Sequence, residues 1–301
     1  MNTSYLTTSE YKRAPTGIDP TSLDYLSGLS DATAQDAELA NVIARASAWI
    51  DNYCEMPDGL YASVNTEIVP VFITKDGFLR IKPKNVPIIQ LQSFQWKVYP
   101  SAEWVVVDLT NVQVYERHFE VMMWFPFFNG PALTIGNAYA YPVSAPYMPY
   151  LTPTETGKVM DMQITTQYSY INGYPNTTIT NNVNIGDNFI TVDDATGVII
   201  GTTMTVYDGH NTEKIMIQGI NGNILALTKP LIFAHAAGIA ISSIPADVKQ
   251  ACILMTNYLL KEKGVNAIVL QGVSNPQMQK YDDTVDIDLA KEMLRRYKRV
   301  V

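Results

Sequence analysis

Between 246 and 263 the apolar positions repeat at helical spacing. Val248, Cys252, Met255 and Leu259 form one stripe, with Ala251, Leu254 and Tyr258 beside it and Ile253 and Leu260 further round. This pattern predicts a helix with a wide apolar arc, leaving little more than Lys249, Gln250, Asn257 and Lys261 for water. Pro245 suits the start, because its missing N–H costs nothing there. Asp247 favours the positive end of the dipole, Lys261 and Lys263 the negative end, and Gly264 supplies the stop. A helix this apolar is covered from more than one side, so the rest of the chain is expected to pack around it.

Two further helical patterns qualify. Leu39, Val42, Ile43, Ala46, Ile50 and Tyr53 predict an amphipathic helix over 35–53, with Asp36, Asn41, Arg45 and Asp51 on its polar side. Leu289, Met293 and Tyr297, flanked by Ala290 and Leu294, predict a closing helix over 287–299. Before these, SEYKRA forms one turn of helix, and Thr21 or Ser22 caps a short helix through Leu23, Tyr25 and Leu26.

From 60 to 173 the period changes to two. YASVNTEIVPVFI alternates up to the turn KDG, and short runs such as EWVVVD, VQVYE, FEVMMWF and ALTIGNAYAY follow at close spacing. Met160, Met162 and Ile164 alternate with polar neighbours in the run that ends at Gly173. Such spacing predicts an antiparallel sheet or small barrel. The Pro- and Tyr-rich YAYPVSAPYMPYLTPTET reads as an exposed extended loop.

At 176 the texture shifts to Thr, Asn and Gly with few cations. Four runs read as strands, FITVDDATG, GTTMTVYDG, EKIMIQGINGN and ILALTKPL, and GINGN is a hairpin signal. A compact all-β module over 176–243 is expected, with its ends close together as an insertion requires. The expected class is α+β: a helical core with an antiparallel β region (1–175 and 244–301) and an inserted small all-β domain (176–243).

Composition narrows the function. The net charge of −8 argues against a protein that coats nucleic acid. Charged residues are only 17% and there are 18 Tyr, a balance that suits protein contacts. Cys54 and Cys252 make no disulfide framework and read as small core residues. No signal pattern or membrane-length apolar run is present, so a soluble protein made in the cytoplasm is expected.

The search for chemistry yields little. There is no phosphate loop, nucleophile elbow or paired-histidine zinc motif. His118, His210 and His235 lack ligand spacing and read as structural or exposed. Asp187, Asp193, Asp194 and Asp208 lack a calcium-loop pattern, and Asp is an ordinary turn residue. Nothing places Glu55, Glu67 and Asp76 together as paired carboxylates. No catalytic residue, cofactor or metal site is expected, and on residues alone the chain is a structural or binding protein.

Three segments carry a likeness. LANVIARASAWIDNYC resembles the N-terminal helix of phage head–tail connector (adaptor) proteins. TTQYSYINGYP, followed after the module by IPADVKQACILMTNYLLKEKG, resembles that family's strand, Gly-Tyr-Pro turn and core helix. LAKEMLRRYKRVV resembles its closing helix and basic tail. The likeness covers the chain ends and the seam around the module and is weak over the middle β region. The module itself departs from the family and looks like a β module common in phage structural proteins.

The resemblance implies a homo-oligomeric ring of twelve copies at the head–tail junction of the virion, assembled from protein made in the host cytoplasm. It implies contact with the portal on one side and with a downstream neck or tail protein on the other. Genomic DNA would pass through without sequence-specific binding, and no membrane is involved. Arg295, Arg296, Tyr297, Lys298 and Arg299 are the expected portal-docking surface, with Tyr297 as aromatic anchor. The competing expectations are a glycan- or receptor-binding virion protein and a wall hydrolase with an unrecognised site.

Overall fold

The computed structural model describes residues 4–14, 16, 18, 23, 32–56, 58–72, 78–97, 100–122, 134–135, 138–139, 163–262 and 284–298. The chain is α+β, with helices and antiparallel sheets. It divides into two compact units: 1–63 with 172–301, and 64–171. The 176–243 module is thus grouped with the helices.

In the first unit, α1 (Thr8–Arg13) opens on a capping box. Thr7 Oγ1 accepts from the Glu10 N–H at 3.1 Å, and the Glu10 carboxylate accepts from the Thr7 N–H at 2.7 Å. The SEYKRA turn is therefore a real, if short, helix. α2 (Ala32–Cys54) is longer than its pattern and buries Leu39, Val42, Ile43, Ala46 and Ile50 as expected. Ser47 and Cys54 are buried with them, and Tyr53 stays half-buried. α3 (Ala246–Glu262) packs on α2, with Ser47 Oγ 3.7 Å from Cys252 Sγ. Each fully buried aliphatic side chain here contributes roughly 1.5–3 kcal/mol.

Two of the positions assigned to water on α3 are buried: Lys249 is 5% exposed and Asn257 8%. The cause is α1, which covers that face and supplies partners for both. Tyr11 Oη donates to Asn257 Oδ1 at 2.6 Å, and Glu10 pairs with Lys249.

α4 (Thr284–Leu294), followed by a 3-10 turn (Arg295–Tyr297), also differs from its pattern. Asp286, Ala290 and Leu294 form its buried line, while Leu289 is 41% exposed. The rotation brings Asp286 to Lys261 Nζ, 2.7 Å away, and sets the Lys291 carbonyl 3.2 Å from Tyr53 Oη.

The module is a six-stranded antiparallel sheet in the order β10 (Asn176–Thr178), β15 (Ala240–Ser242), β12 (Thr203–Tyr207), β13 (Glu213–Asn221), β14 (Ile224–Leu227), β11 (Phe189–Thr191). Alternate side chains point inward, including Met204 and Val206, Ile215 and Ile217, Leu225 and Leu227. They belong to an aliphatic cluster drawn from the module alone. The GINGN signal is a hairpin whose two-residue loop, Gly222 and Asn223, joins Asn221 to its partner Ile224. Asn176 pairs with Ser242, so the chain enters and leaves the sheet at neighbouring points.

Just before the module the chain turns at Gly173, which has φ of 85°. A Cβ there would lie 2.2 Å from the Tyr61 carbonyl oxygen. Only glycine permits this approach, through which the Tyr174 N–H donates to Leu60 O at 2.7 Å.

The second unit holds two sheets, β1 (Ser63–Phe72), β9 (Gln163–Asn172), β3 (Ile88–Lys97), β4 (Val105–Val106) and β2 (Phe78–Ile81), β6 (Phe119–Met122), β5 (Val112–Val114), each in that order. They share a core that includes Leu79, Ile81, Phe94, Trp96, Phe119 and Tyr168. A further two-stranded ladder joins β7 (Thr134–Ile135) and β8 (Ala138–Tyr139). The KDG turn, the Pro- and Tyr-rich loop at 139–156 (except for Tyr139), Met160 and Met162, and residues 264–280 lie outside the described residues, as does the expected short helix at 21–26 except for buried Leu23.

Candidate functional site

The basic end of the chain is formed by the 3-10 turn after α4. Arg295 is exposed. Arg296 pairs with Asp247 in the first turn of α3 at 2.8 Å, and its guanidinium lies 4.7 Å from the Tyr297 ring centroid. Lys298 Nζ is 3.2 Å from Glu55, which follows α2 with φ of 59°, and 5.6 Å from the Tyr53 ring centroid. Tyr297 is half-buried, and Arg299 lies outside the described residues. The structure therefore brings Arg296, Tyr297 and Lys298 to one place, where the two cations already meet acids of their own chain. Arg296 and Lys298 both keep about half or more of their side-chain surface open to solvent, so water competes for these pairs.

A second polar cluster lies beneath α1. Lys249 Nζ is 2.5 Å from Glu10, donates to the Tyr5 carbonyl at 3.2 Å, and sits 4.0 Å from the Tyr207 ring centroid. Its ammonium is thus held by a charge, a backbone dipole and an aromatic face. Nearby, Tyr5 Oη donates to Asp51 and accepts from the Leu60 N–H at 2.7 Å. Burial drives the Asp51 carboxyl up to about 6, with the Tyr5 hydroxyl opposing.

The third cluster is inside the module. His235 has no exposed side-chain surface, and each ring nitrogen lies 3.0 Å from a carboxylate, Nδ1 from Asp208 and Nε2 from Glu213. Carboxylates offer acceptors only, so both bonds exist together only while both nitrogens carry hydrogen. Asp208 also accepts from Arg13, and Glu213 accepts from the N–H groups of Ile232 and Phe233. Burial alone would raise both carboxyls. For Asp208 the donors His235 and Arg13 outweigh it, and for Glu213 Ile232, His235 and Phe233 do, so both lie below the ordinary range.

The other candidates have local roles. Asp187 accepts from the Asn184 N–H at 2.7 Å and Asp194 from the Thr196 N–H at 2.9 Å, as turn residues do. His118 stacks on Tyr115 with centroids 4.6 Å apart, and His210 is exposed. Glu67 accepts from Tyr168 at 3.0 Å, Tyr170 at 2.5 Å and the Lys84 N–H at 2.9 Å. Glu55 is taken by Lys298, and Asp76 lies outside the described residues. Burial pushes the thiols of Cys54 and Cys252 up to about 12, which leaves them without nucleophilic thiolate at neutral pH. Among the described residues no group of three His, Cys, Asp or Glu side chains is placed to hold a metal, and no helix is long and apolar enough to cross a membrane.

Sequence reasoning missed the Lys249 and His235 clusters. The capping box Thr7–Glu10 was a usable signal for α1, but nothing local to Lys249 or His235 names a partner. Comparison with known proteins finds no family model, no curated protein and no solved structure that matches the chain.

Proposed function

We propose that the protein is a structural virion component, a head–tail adaptor that forms a ring beneath the portal, joins the capsid vertex to the neck or tail and continues the DNA channel. In this reading 1–175 with 244–301 is the connector core, and 176–243 is an all-β module inserted into it. The observation that carries the reading is that the resembling segments, far apart in sequence, meet in one core. LANVIARASAWIDNYC lies in α2, ADVKQACILMTNYLLKE is α3 and LAKEML lies in α4. Cys252 lies against Ser47, Lys291 accepts from Tyr53, and Asp286 meets Lys261.

The adaptor needs no catalytic residue, cofactor or metal. Its partners are the other copies in a ring of twelve, the portal above and a neck or tail protein below, and it resides at the head–tail junction after synthesis in the host cytoplasm. A chain of net charge −8 lets DNA pass with few phosphate contacts. The deciding experiment is co-purification with the portal ring, followed by negative-stain microscopy. A twelve-fold ring bound to the portal is expected. A monomer that ignores the portal and binds cell-wall glycans would replace this reading with a glycan-binding virion protein. Turnover of peptidoglycan, lost on changing one acid, would replace it with an enzyme.

A further inference from the structure

Four consecutive side chains of α1 reach four separate partners. Glu10 meets Lys249, Tyr11 donates to Asn257, Lys12 pairs with Asp36, and Arg13 pairs with Asp208. The first three fasten α1 to α2 and α3. The fourth grips the module, at the residue that follows the Tyr207 ring packed against Lys249.

The grip continues inward. Asp208 Oδ2 is 3.0 Å from His235 Nδ1, and His235 Nε2 is 3.0 Å from Glu213 Oε1. Glu213 in turn accepts from the Ile232 N–H at 3.0 Å and the Phe233 N–H at 3.0 Å. A continuous line of polar contacts at hydrogen-bond distance thus runs from α1 to the backbone of the loop before His235. That loop belongs to no strand: Leu231 anchors its start in the module's core and the Val183–His235 bridge holds its end, while Ile232 between them is 66% exposed.

We propose that α1 is a strap whose Arg13, acting through Asp208, His235 and Glu213, holds the Ile232–Phe233 stretch of that loop in order. This goes beyond the adaptor reading and stands without it. Arg13 is a positioning residue. With it removed, Asp208 is left to His235 alone and is free to turn towards water. The His235 ring then loses its fixed orientation, and Glu213 no longer stays aligned on the two amides. Spatial continuity is not coupling, so the test has to measure coupling.

The readout is amide hydrogen exchange on the full chain, resolved at Ile232 and Phe233. Arg13→Ala should speed exchange there by about tenfold, as local opening becomes easier, and leave the amides of Ile215 and Ile217 unchanged. Arg13→Lys should restore part of the protection. Lys12→Ala, one residue away on the same helix, should have no effect at the loop. In a His235→Gln background Arg13→Ala should add nothing further, since the line is already cut. Unchanged exchange in Arg13→Ala overturns the proposal. So does acceleration spread evenly over the module's strands, or an equal effect from Lys12→Ala. If His235→Gln does not fold, the three exposed-residue variants decide the matter alone.

Discussion

Asp51 in α2 and Asp208 beside β12 are both carboxylates under cover, yet their surroundings move them in opposite directions. At Asp51 burial dominates and one hydroxyl, from Tyr5, opposes it, so the carboxyl rises to about 6. At Asp208 burial also pushes upward, but His235 and Arg13 both donate, and the carboxyl falls below its ordinary range. Glu213 behaves as Asp208 does, through Ile232, His235 and Phe233. The desolvation cost has the same sign at all three, and the number and charge of the donors decides the outcome. Asp51 meets a single hydroxyl donor, whereas Asp208 and Glu213 share His235 and draw on further donors.

The sharpest way to break that contrast is at Lys249. Its carboxylate partner is Glu10, and both side chains are almost wholly buried. Glu10→Ala leaves a buried ammonium with a carbonyl and an aromatic ring, and should cost about 3–5 kcal/mol. Urea denaturation measures it. A cost below about 1 kcal/mol would mean that Tyr5 O and Tyr207 suffice and that the core is networked like the module.

Apolar packing should treat the two regions alike. Ile43 is buried in α2 and Leu225 in β14. Either residue replaced by Ala should lower stability by about 2–5 kcal/mol, read as a shift of the urea midpoint at constant slope. A surface-like response at Ile43 alone would mean that the α2–α3 face is wrongly placed.

The apolar half of both regions was legible in sequence. Period 3.6 located Leu39 to Ile50 on α2, runs bounded by Gly and Asn turns located the module's strands, and the Asn-Gly-Asn hairpin appeared where its turn chemistry put it. The polar half was not legible. Lys249 reads as a solvated position on its own helix, and it is buried because a helix more than 200 residues earlier brings Glu10 to it. His235 in AHAAG reads as a loop residue, and its two carboxylates arrive from the residue after β12 and the first residue of β13. Leu289 failed for a related reason: the Asp286–Lys261 pair turns α4 so that a charge is buried and a leucine is not. Local periodicity reports which side is apolar but carries no information about a distant ion that covers the other side.

A smaller effect separates the regions by pH. The folded-state pKa of Asp51 is raised from 3.8 to about 6, so its ionised form is disfavoured in the fold. Stability should therefore fall as pH rises from about 4 to 6 and then level off. Partial exposure limits the loss to roughly 1–2 kcal/mol. Asp51→Asn should remove this dependence and stabilise the protein at pH 7. The carboxyls of Asp208 and Glu213 are lowered, so their contribution is present above the unfolded carboxylate range near 4 and is lost as pH falls through the folded values. Thermal melts from pH 3 to 8 on wild type and Asp51→Asn test both signs. A wild-type curve flat between pH 4 and 6 would remove the contrast with which the comparison began.

The smallest effect on folding is expected at the basic end. Arg296–Asp247 and Lys298–Glu55 are exposed pairs, and such pairs add little because water competes for both charges. Two accounts of this turn differ in what it is for. As a solvated helix end, its cations balance the helix dipole and the acids of α2 and α3. As the docking surface of an adaptor, the same cations exchange Asp247 and Glu55 for acids of the portal, with Tyr297 anchoring the contact. Folding cannot tell these apart, because both leave the melting temperature nearly unchanged when Arg296 and Lys298 become Ala. Portal binding can. Docking predicts that the double variant stays folded and loses portal affinity, and that wild-type binding weakens between low and physiological salt as screening shortens the reach of each charge. Binding that is unchanged by the double substitution and indifferent to salt would return the turn to the solvated account. It would leave the proposed ring assembly untouched, since nothing in the packing of α2, α3 and α4 depends on these two side chains meeting a partner.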